Sequence, residues 1–290
     1  MVVREKRQIY TRWQLQNIIR RIQMGNEGLE SKLRELGGKG TKVSKESFLE
    51  LVDLGLTPPS AEDIATAEAM RLDSVAHAEE EFRKKMITRV AESRAYDTVY
   101  LGTDKSFDRF NGGSTWDDTL ISGSWLGATK RARANFTNRY AEAKVASTSI
   151  DFGAATAIAC VGNQFTVAGS SGGSQVATIR EIGVHKGEIS AGALGGSSAA
   201  VEIWFMIKDE TSGVEYKEEI VRESVGFGGS TIYSTHSVGR DTLLRVGRNY
   251  TVYLKLVVSA SLYGIGFTYS DFFEDVEYFN AWYAQIMVEF

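Results

Sequence analysis

A chain of 290 residues with one cysteine, Cys160, can form no disulfide within itself, and its only prolines, Pro58 and Pro59, stand side by side. The three histidines, His77, His185 and His236, are far apart and match no zinc-ligand spacing. No apolar run approaches the roughly 20 residues that a membrane-crossing helix needs, and the best stretch, near 252–262, is broken by Lys255 and by serines. The first residues, Met-Val-Val-Arg-Glu-Lys-Arg, lack the apolar core of a secretory signal. The expectation is a soluble protein made in the cytoplasm. Cys160 lies in Ala-Ile-Ala-Cys-Val and reads as a buried packing residue, because a reactive thiol needs exposure and nearby cations.

Signs of chemistry are equally sparse. There is no G-x-S-x-G string for a strained nucleophile turn. Gly37–Thr41 lacks the spacing of a phosphate loop and no apolar strand precedes it, so a turn is expected. Asp104, Asp108 and Asn111 offer oxygen ligands without calcium-loop spacing. Carboxylate doublets occur at Asp117-Asp118, Asp209-Glu210, Glu218-Glu219 and Glu274-Asp275. Adjacent strand residues point to opposite faces, so most such doublets cannot share a substrate, and exposed turns are the default expectation for them. The reading is a non-enzyme without metal or cofactor.

What is present divides the chain in three. Residues 1–96 are helical in pattern and form an assembly or anchor region. Leu15, Ile18, Ile19 and Ile22 make one apolar stripe, and Ser60 with Asp63 three residues on has the form of a capping box. The helix that follows is expected over 61–96, with Leu72, Val75, Phe82, Met86 and Val90 on its apolar face, in a bundle or coiled coil. Residues 97–147 read as an ordered, aromatic-rich connector carrying Phe107, Phe110, Trp116 and Trp125 and one helix near Leu126–Ala146. From 148 to 290 glycine is frequent, eighteen of twenty-nine, and period-two patterns predict eight strands. In Val201–Ile207 both faces are apolar, which suggests a central strand. The expected fold class is α+β, a helical N-terminal region followed by an antiparallel β-sandwich, immunoglobulin-like or jelly roll.

Charge is unevenly spread. Residues 1–45 hold eleven Lys/Arg against four Glu, whereas 148–290 hold nine Lys/Arg against sixteen Asp/Glu. The basic residues Arg4, Arg7, Arg12, Arg20 and Arg21 are candidates for assembly or nucleic-acid contact, and Lys130-Arg131-Ala132-Arg133 for phosphate or an acidic neighbour. The densest aromatic region runs from Phe267 to Tyr283, and within it Phe272, Phe273, Trp282 and Tyr283 are the candidate ligand-binding side chains.

Residues Leu244–Leu256 (Leu-Arg-Val-Gly-Arg-Asn-Tyr-Thr-Val-Tyr-Leu-Lys-Leu) resemble the tyrosine corner of immunoglobulin-like and fibronectin-type sandwiches. The resemblance implies a corner tyrosine at Tyr250 and a turn at Gly247; the disulfide cysteines of antibody domains are absent. The order of basic helical anchor, long helix, aromatic connector and Gly-rich β-domain is similar in style to structural proteins of tailed double-stranded DNA viruses, as is the string Ala177–Val184. That resemblance implies a virion structural protein (tail, fibre, collar or head-associated), made in the host cytoplasm, whose partners are copies of itself and other virion proteins. The alternative function is a carbohydrate- or cell-surface-binding module with a glycan ligand.

Overall fold

The computed structural model describes residues 60–90, 96–108, 115–123, 125, 128–135, 137–273 and 280–290. The Leu15–Ile22 stripe, Arg4, Arg7, Arg12, Arg20, Arg21 and the Glu274-Asp275 doublet lie outside them.

One helix, α1 (Ala61–Val90), is followed by eleven strands: β1 (Asp97–Tyr100), β2 (Lys105–Asp108), β3 (Thr115–Ser122), β4 (Thr129–Asn135), β5 (Tyr140–Ala168), β6 (Ser174–Leu194), β7 (Ser197–Asp209), β8 (Glu215–Val225), β9 (Gly228–Arg245), β10 (Asn249–Phe272) and β11 (Asn280–Glu289). The result is a β-sandwich with a helix. Its spine is the antiparallel pair β5–β10, in register from Asn249↔Thr166 to Phe272↔Ala143. The first half of β10 pairs with β7, and β7 with β8. The corresponding half of β5 takes β3 and, in parallel, β1. The second half of β10 pairs with β6, which carries β9 and β11; β4 pairs with the start of β5, and β2 with β11. Two layers thus grow from one ribbon.

Alternation sorts the side chains. Val252, Leu254, Leu256, Val258, Ala260 and Leu262 of β10 point into the core between the layers, as do Ala155–Val161 at every second residue and Val201, Ile203, Phe205 and Ile207 of β7. The reverse face of the first layer carries Ile158, Cys160, Met206, Tyr253 and Val257, and α1 lies across it with Ala78, Phe82 and Met86. The central-strand reading of β7 is met by its place between β10 and β8, with Trp204 and Met206 under the helix. Cys160 is wholly buried, and burial raises its thiol well above the usual range.

The helix start follows its sequence. Asp63 N–H donates to Ser60 Oγ at 3.1 Å and Ser60 N–H to Asp63 Oδ2 at 3.2 Å, a reciprocal cap. The buried stripe differs from expectation: Leu72 is 46 % exposed, and Arg71 points inward instead. Its guanidinium donates to Ser198 Oγ at 3.0 Å and Ser259 Oγ at 3.1 Å, and burial lowers its pKa. Further along, Lys85 pairs with Asp118 at 2.5 Å, Lys255 with Glu79, and Ser122 donates to Glu81. A β-sheet surface, not a second helix, takes up the face that a bundle or coiled coil would have covered.

Two expectations are corrected. Among the described residues no helix forms near Leu126–Ala146: Lys130–Arg133 lies on strand β4 and Tyr140–Ala146 begins β5. Residues assigned to a connector instead supply four strands to the sheet, with Phe107 and Trp125 buried in its core. The string Tyr140-Ala-Glu-Ala-Lys-Val has good helix formers, yet its alanines and Val145 alternate, and burying one face in a sheet outweighs propensity. The doublets are not all exposed turns either. Asp118 is buried on Lys85, and Asp209 accepts from Arg248 and from the backbone of Thr211 and Ser212.

At the predicted corner, Tyr250 Oη accepts from Arg245 N–H at 3.1 Å, and Gly247 turns with φ +80°.

Candidate binding face

Because α1 covers the reverse of the first layer, the outer face of the second layer is the broad sheet surface that no described element covers. Five strands lie side by side there, and one ladder row crosses all of them. It reads Asn135 (β4), Tyr140 (β5), Trp282 (β11), Val184 (β6) and Thr235 (β9). At about 4.8 Å per strand the row spans about 19 Å. Its direction follows from its neighbours. Ala141 and Ala281 pair with each other and are fully buried, so Tyr140 and Trp282, one residue away, face outward. Trp282 is 38 % exposed.

Polar groups frame the two rings. Asn135 Nδ2 lies 3.4 Å from Tyr140 Oη. The Arg133 guanidinium sits 5.5 Å from the Tyr140 ring centroid and 5.1 Å from that of Phe273, and Arg131 lies 5.6 Å from Phe273. Glu142, beneath, accepts from Arg133 Nε at 2.5 Å and fixes its plane. Four residues along, the row Arg131–Lys144–Asp271–Glu188–Thr231 is charged, with Lys144 and Asp271 2.5 Å apart. Beside it Tyr269 has its hydroxyl pushed up to about 12 by burial and by Glu188. On the other side of the aromatic row, Gln285 donates to Ser106 at 2.6 Å and Arg180 meets Glu289 at 3.3 Å. Arg133, Lys144 and Arg180 therefore each have an acidic partner, and the face is electrically balanced.

The four aromatic candidates divide by strand parity. Trp282 and Phe273 are on the outer face. Tyr283 is fully buried, its hydroxyl donating to Asn163 Oδ1 at 3.0 Å, with burial raising its pKa. Phe272 is fully buried against Gly187, where even a Cβ would come within 2.5 Å of its ring. Both are core residues and are withdrawn as ligand contacts. Sequence reading missed Tyr140, which only the β5–β11 register brings to Trp282.

Such a surface can stack planar or apolar faces on its rings and hydrogen-bond hydroxyls with amide, guanidinium and carboxylate groups. Among the described residues no three His, Cys, Asp or Glu side chains are grouped to hold a metal ion, and no helix is long and apolar enough to cross a membrane. Asp104 Oδ1 accepts from Phe290 N–H at 2.8 Å.

No family model matches the sequence, and no curated protein does. Among solved structures the chain is similar to a family 61 carbohydrate-binding module, TmCBM61 in complex with β-1,4-galactotriose, at 14 % identity over 59 % of this chain and 88 % of that one, with a TM-score of 0.21. A xylan-binding family 22 domain matches at 11 % identity, 61 % and 92 % coverage and a TM-score of 0.18. The family 11 module of Clostridium thermocellum Lic26A-Cel5E matches at 12 %, 57 % and 95 %, also with 0.18. At these TM-scores the likeness carries no argument about fold or function.

Proposed function

We propose that this chain is a non-catalytic binding module that holds a neutral glycan, free or on a cell surface, against the open face of its sandwich. The observation that supports this most is the adjacency of Tyr140 and Trp282 on one ladder row, at the centre of a face whose charges are matched. Two aromatic side chains with Cβ atoms about 5 Å apart across strands suit consecutive apolar sugar faces, and the surrounding amide and guanidinium groups suit sugar hydroxyls. The charge balance favours a neutral ligand over nucleic acid, which demands a surplus of cations along its track. The test is a glycan array probed with the full-length chain: hits on neutral oligosaccharides that vanish in Trp282→Ala support the proposal. An array without hits, or hits indifferent to that substitution, overturns it.

A second reading, a structural subunit of a tailed-virus particle, is favoured by the surplus of seven positive charges in residues 1–45 against a deficit of seven in residues 148–290, which suits head-to-tail association. Light scattering of the purified chain separates the two: a discrete oligomer or larger assembly supports this reading, and a monomer at high concentration counts against it.

A further inference from the structure

On the inner side of the strands that carry the Trp282 row lies a group of three side chains that the binding reading does not use. Glu181 and His185 point inward from β6, and His236 points inward from β9, opposite Gly183. Gly183 makes room for it: a Cβ there would lie 2.8 Å from His236 Nε2 and 2.7 Å from Glu181 Oε1. His236 Nε2 stands 2.8 and 3.0 Å from the two Glu181 oxygens, and its Nδ1 is 3.2 Å from Nδ1 of His185. The imidazoles stack with centroids 5.4 Å apart. Glu181 is fully buried and the His236 side chain is 7 % exposed.

The geometry limits the proton count. An ionised carboxylate only accepts, so His236 Nε2 bears hydrogen. With both rings neutral, His185 Nδ1–H donates to His236 Nδ1. With one ring protonated, a single hydrogen still lies between the two Nδ1 atoms, and a positive His236 gains the charge of Glu181. With both protonated, two N–H groups and two positive charges oppose each other at 3.2 Å in a buried site, and the contact cannot persist.

What yields is β9. Among the described residues it is an edge strand whose ladder is with β6 alone, and toward β8 it has a polar seam in which Arg240 pairs with Glu218 and Ser230 donates to Glu223. Tyr283 of β11, opposite Gly183 and kept neutral by burial, stands beside the pair, and the Arg139 guanidinium lies 5.5 Å from the Tyr283 ring. The burial of His185 and the charge of His236 both oppose the second proton, which places its uptake below neutrality. On the opposite face of the same strands, Thr235 of β9 and Val184 of β6 continue the Tyr140–Trp282 row.

We propose that Glu181, His236 and His185 form an acid-operated latch: when both imidazoles are protonated, β9 parts from β6 around residues 234–238 and the ligand row above loses its edge. The release of ligand rests on the glycan-binding reading; the opening of β9 does not.

The experiment is hydrogen exchange on the full chain at pH 7, 6, 5 and 4.5, corrected for intrinsic rates, with wild type and His185→Gln. The latch predicts that protection of β9 amides near 232–240 falls at least tenfold toward pH 4.5 in wild type while β5 and β10 stay protected, and that His185→Gln abolishes the fall. If that variant does not fold, ring-nitrogen NMR of wild type replaces it, the opening coinciding with uptake of the second imidazole proton. Unchanged protection, equal loss in the variant, opening without that uptake, or simultaneous loss across the sandwich overturns the latch. Glycan binding at pH 7 is read separately. Opening without any glycan bound overturns the binding reading alone, and glycan bound without opening overturns the latch alone.

Discussion

Trp282 stands directly opposite Tyr140 across the β11–β5 ladder, with Ala281 and Ala141 back to back on the core side. The two rings are 142 positions apart in sequence, and each is one residue from a side chain that cannot leave the core. That parity makes the site separable from the fold and gives each residue a distinct expected phenotype.

Trp282→Ala is expected to weaken glycan binding about tenfold or more while changing stability by no more than about 1 kcal/mol, because the ring is outside the core. Tyr283→Ala, one residue on, is expected to cost about 3–5 kcal/mol by opening a cavity and orphaning Asn163. Urea denaturation of both variants checks the contrast.

The attachment of α1 depends on a fork of hydrogen bonds from Arg71 to Ser198 and Ser259. Arg71→Ala is expected to destabilise the protein by about 2–4 kcal/mol, since two buried hydroxyls lose their donor. Arg71→Lys restores little of this, because an ammonium lacks the planar fork. Thermal denaturation of the pair measures it.

Gly196 has φ +121°, and a Cβ there would lie 2.2 Å from the Asp63 carbonyl oxygen in the first turn of α1. Gly196→Ala therefore pushes the helix start off the sheet and is expected to cost about 1–3 kcal/mol. Faster hydrogen exchange in residues 61–70 is the local signature.

Burial, with His236 alongside, lowers the pKa of His185 to about 4, against about 6.5 in an unfolded chain. Between those values the unfolded state binds the additional proton, so this contribution is complete above pH 6.5 and is lost as pH falls toward 4. Its size is on the order of 3 kcal/mol. Denaturant midpoints measured from pH 7.5 to 4.5 should fall steeply in wild type and less steeply in His185→Gln.

Much of the fold was legible from local chemistry. Ser60 and Asp63 announced the helix start, Leu244–Tyr250 the corner, Cys160 its burial and Val201–Ile207 a strand with two apolar faces. Each of these signals is contained within a few residues. The errors came where a local signal competed with a distant one. Leu72 was expected on the buried face and nothing local pointed to Arg71, because the hydroxyls that receive Arg71, Ser198 and Ser259, are more than 120 positions away. Tyr140–Ala146 looked helical because alanine and charged residues favour helix in isolation, while its strand partners in β4, β10 and β11 lie elsewhere in the chain. Half of the aromatic site was visible: Trp282 and Phe273 were singled out, but period two alone could not say which member of each adjacent pair faced outward.

The central claim is tested most directly by titrating an array-identified glycan into wild type, Tyr140→Ala, Trp282→Ala and the double variant. The account predicts that each single substitution weakens binding about tenfold or more, about 1.4 kcal/mol, with a double-variant loss that departs from additivity because both rings contact one ligand. Wild-type affinity in both single variants would contradict it.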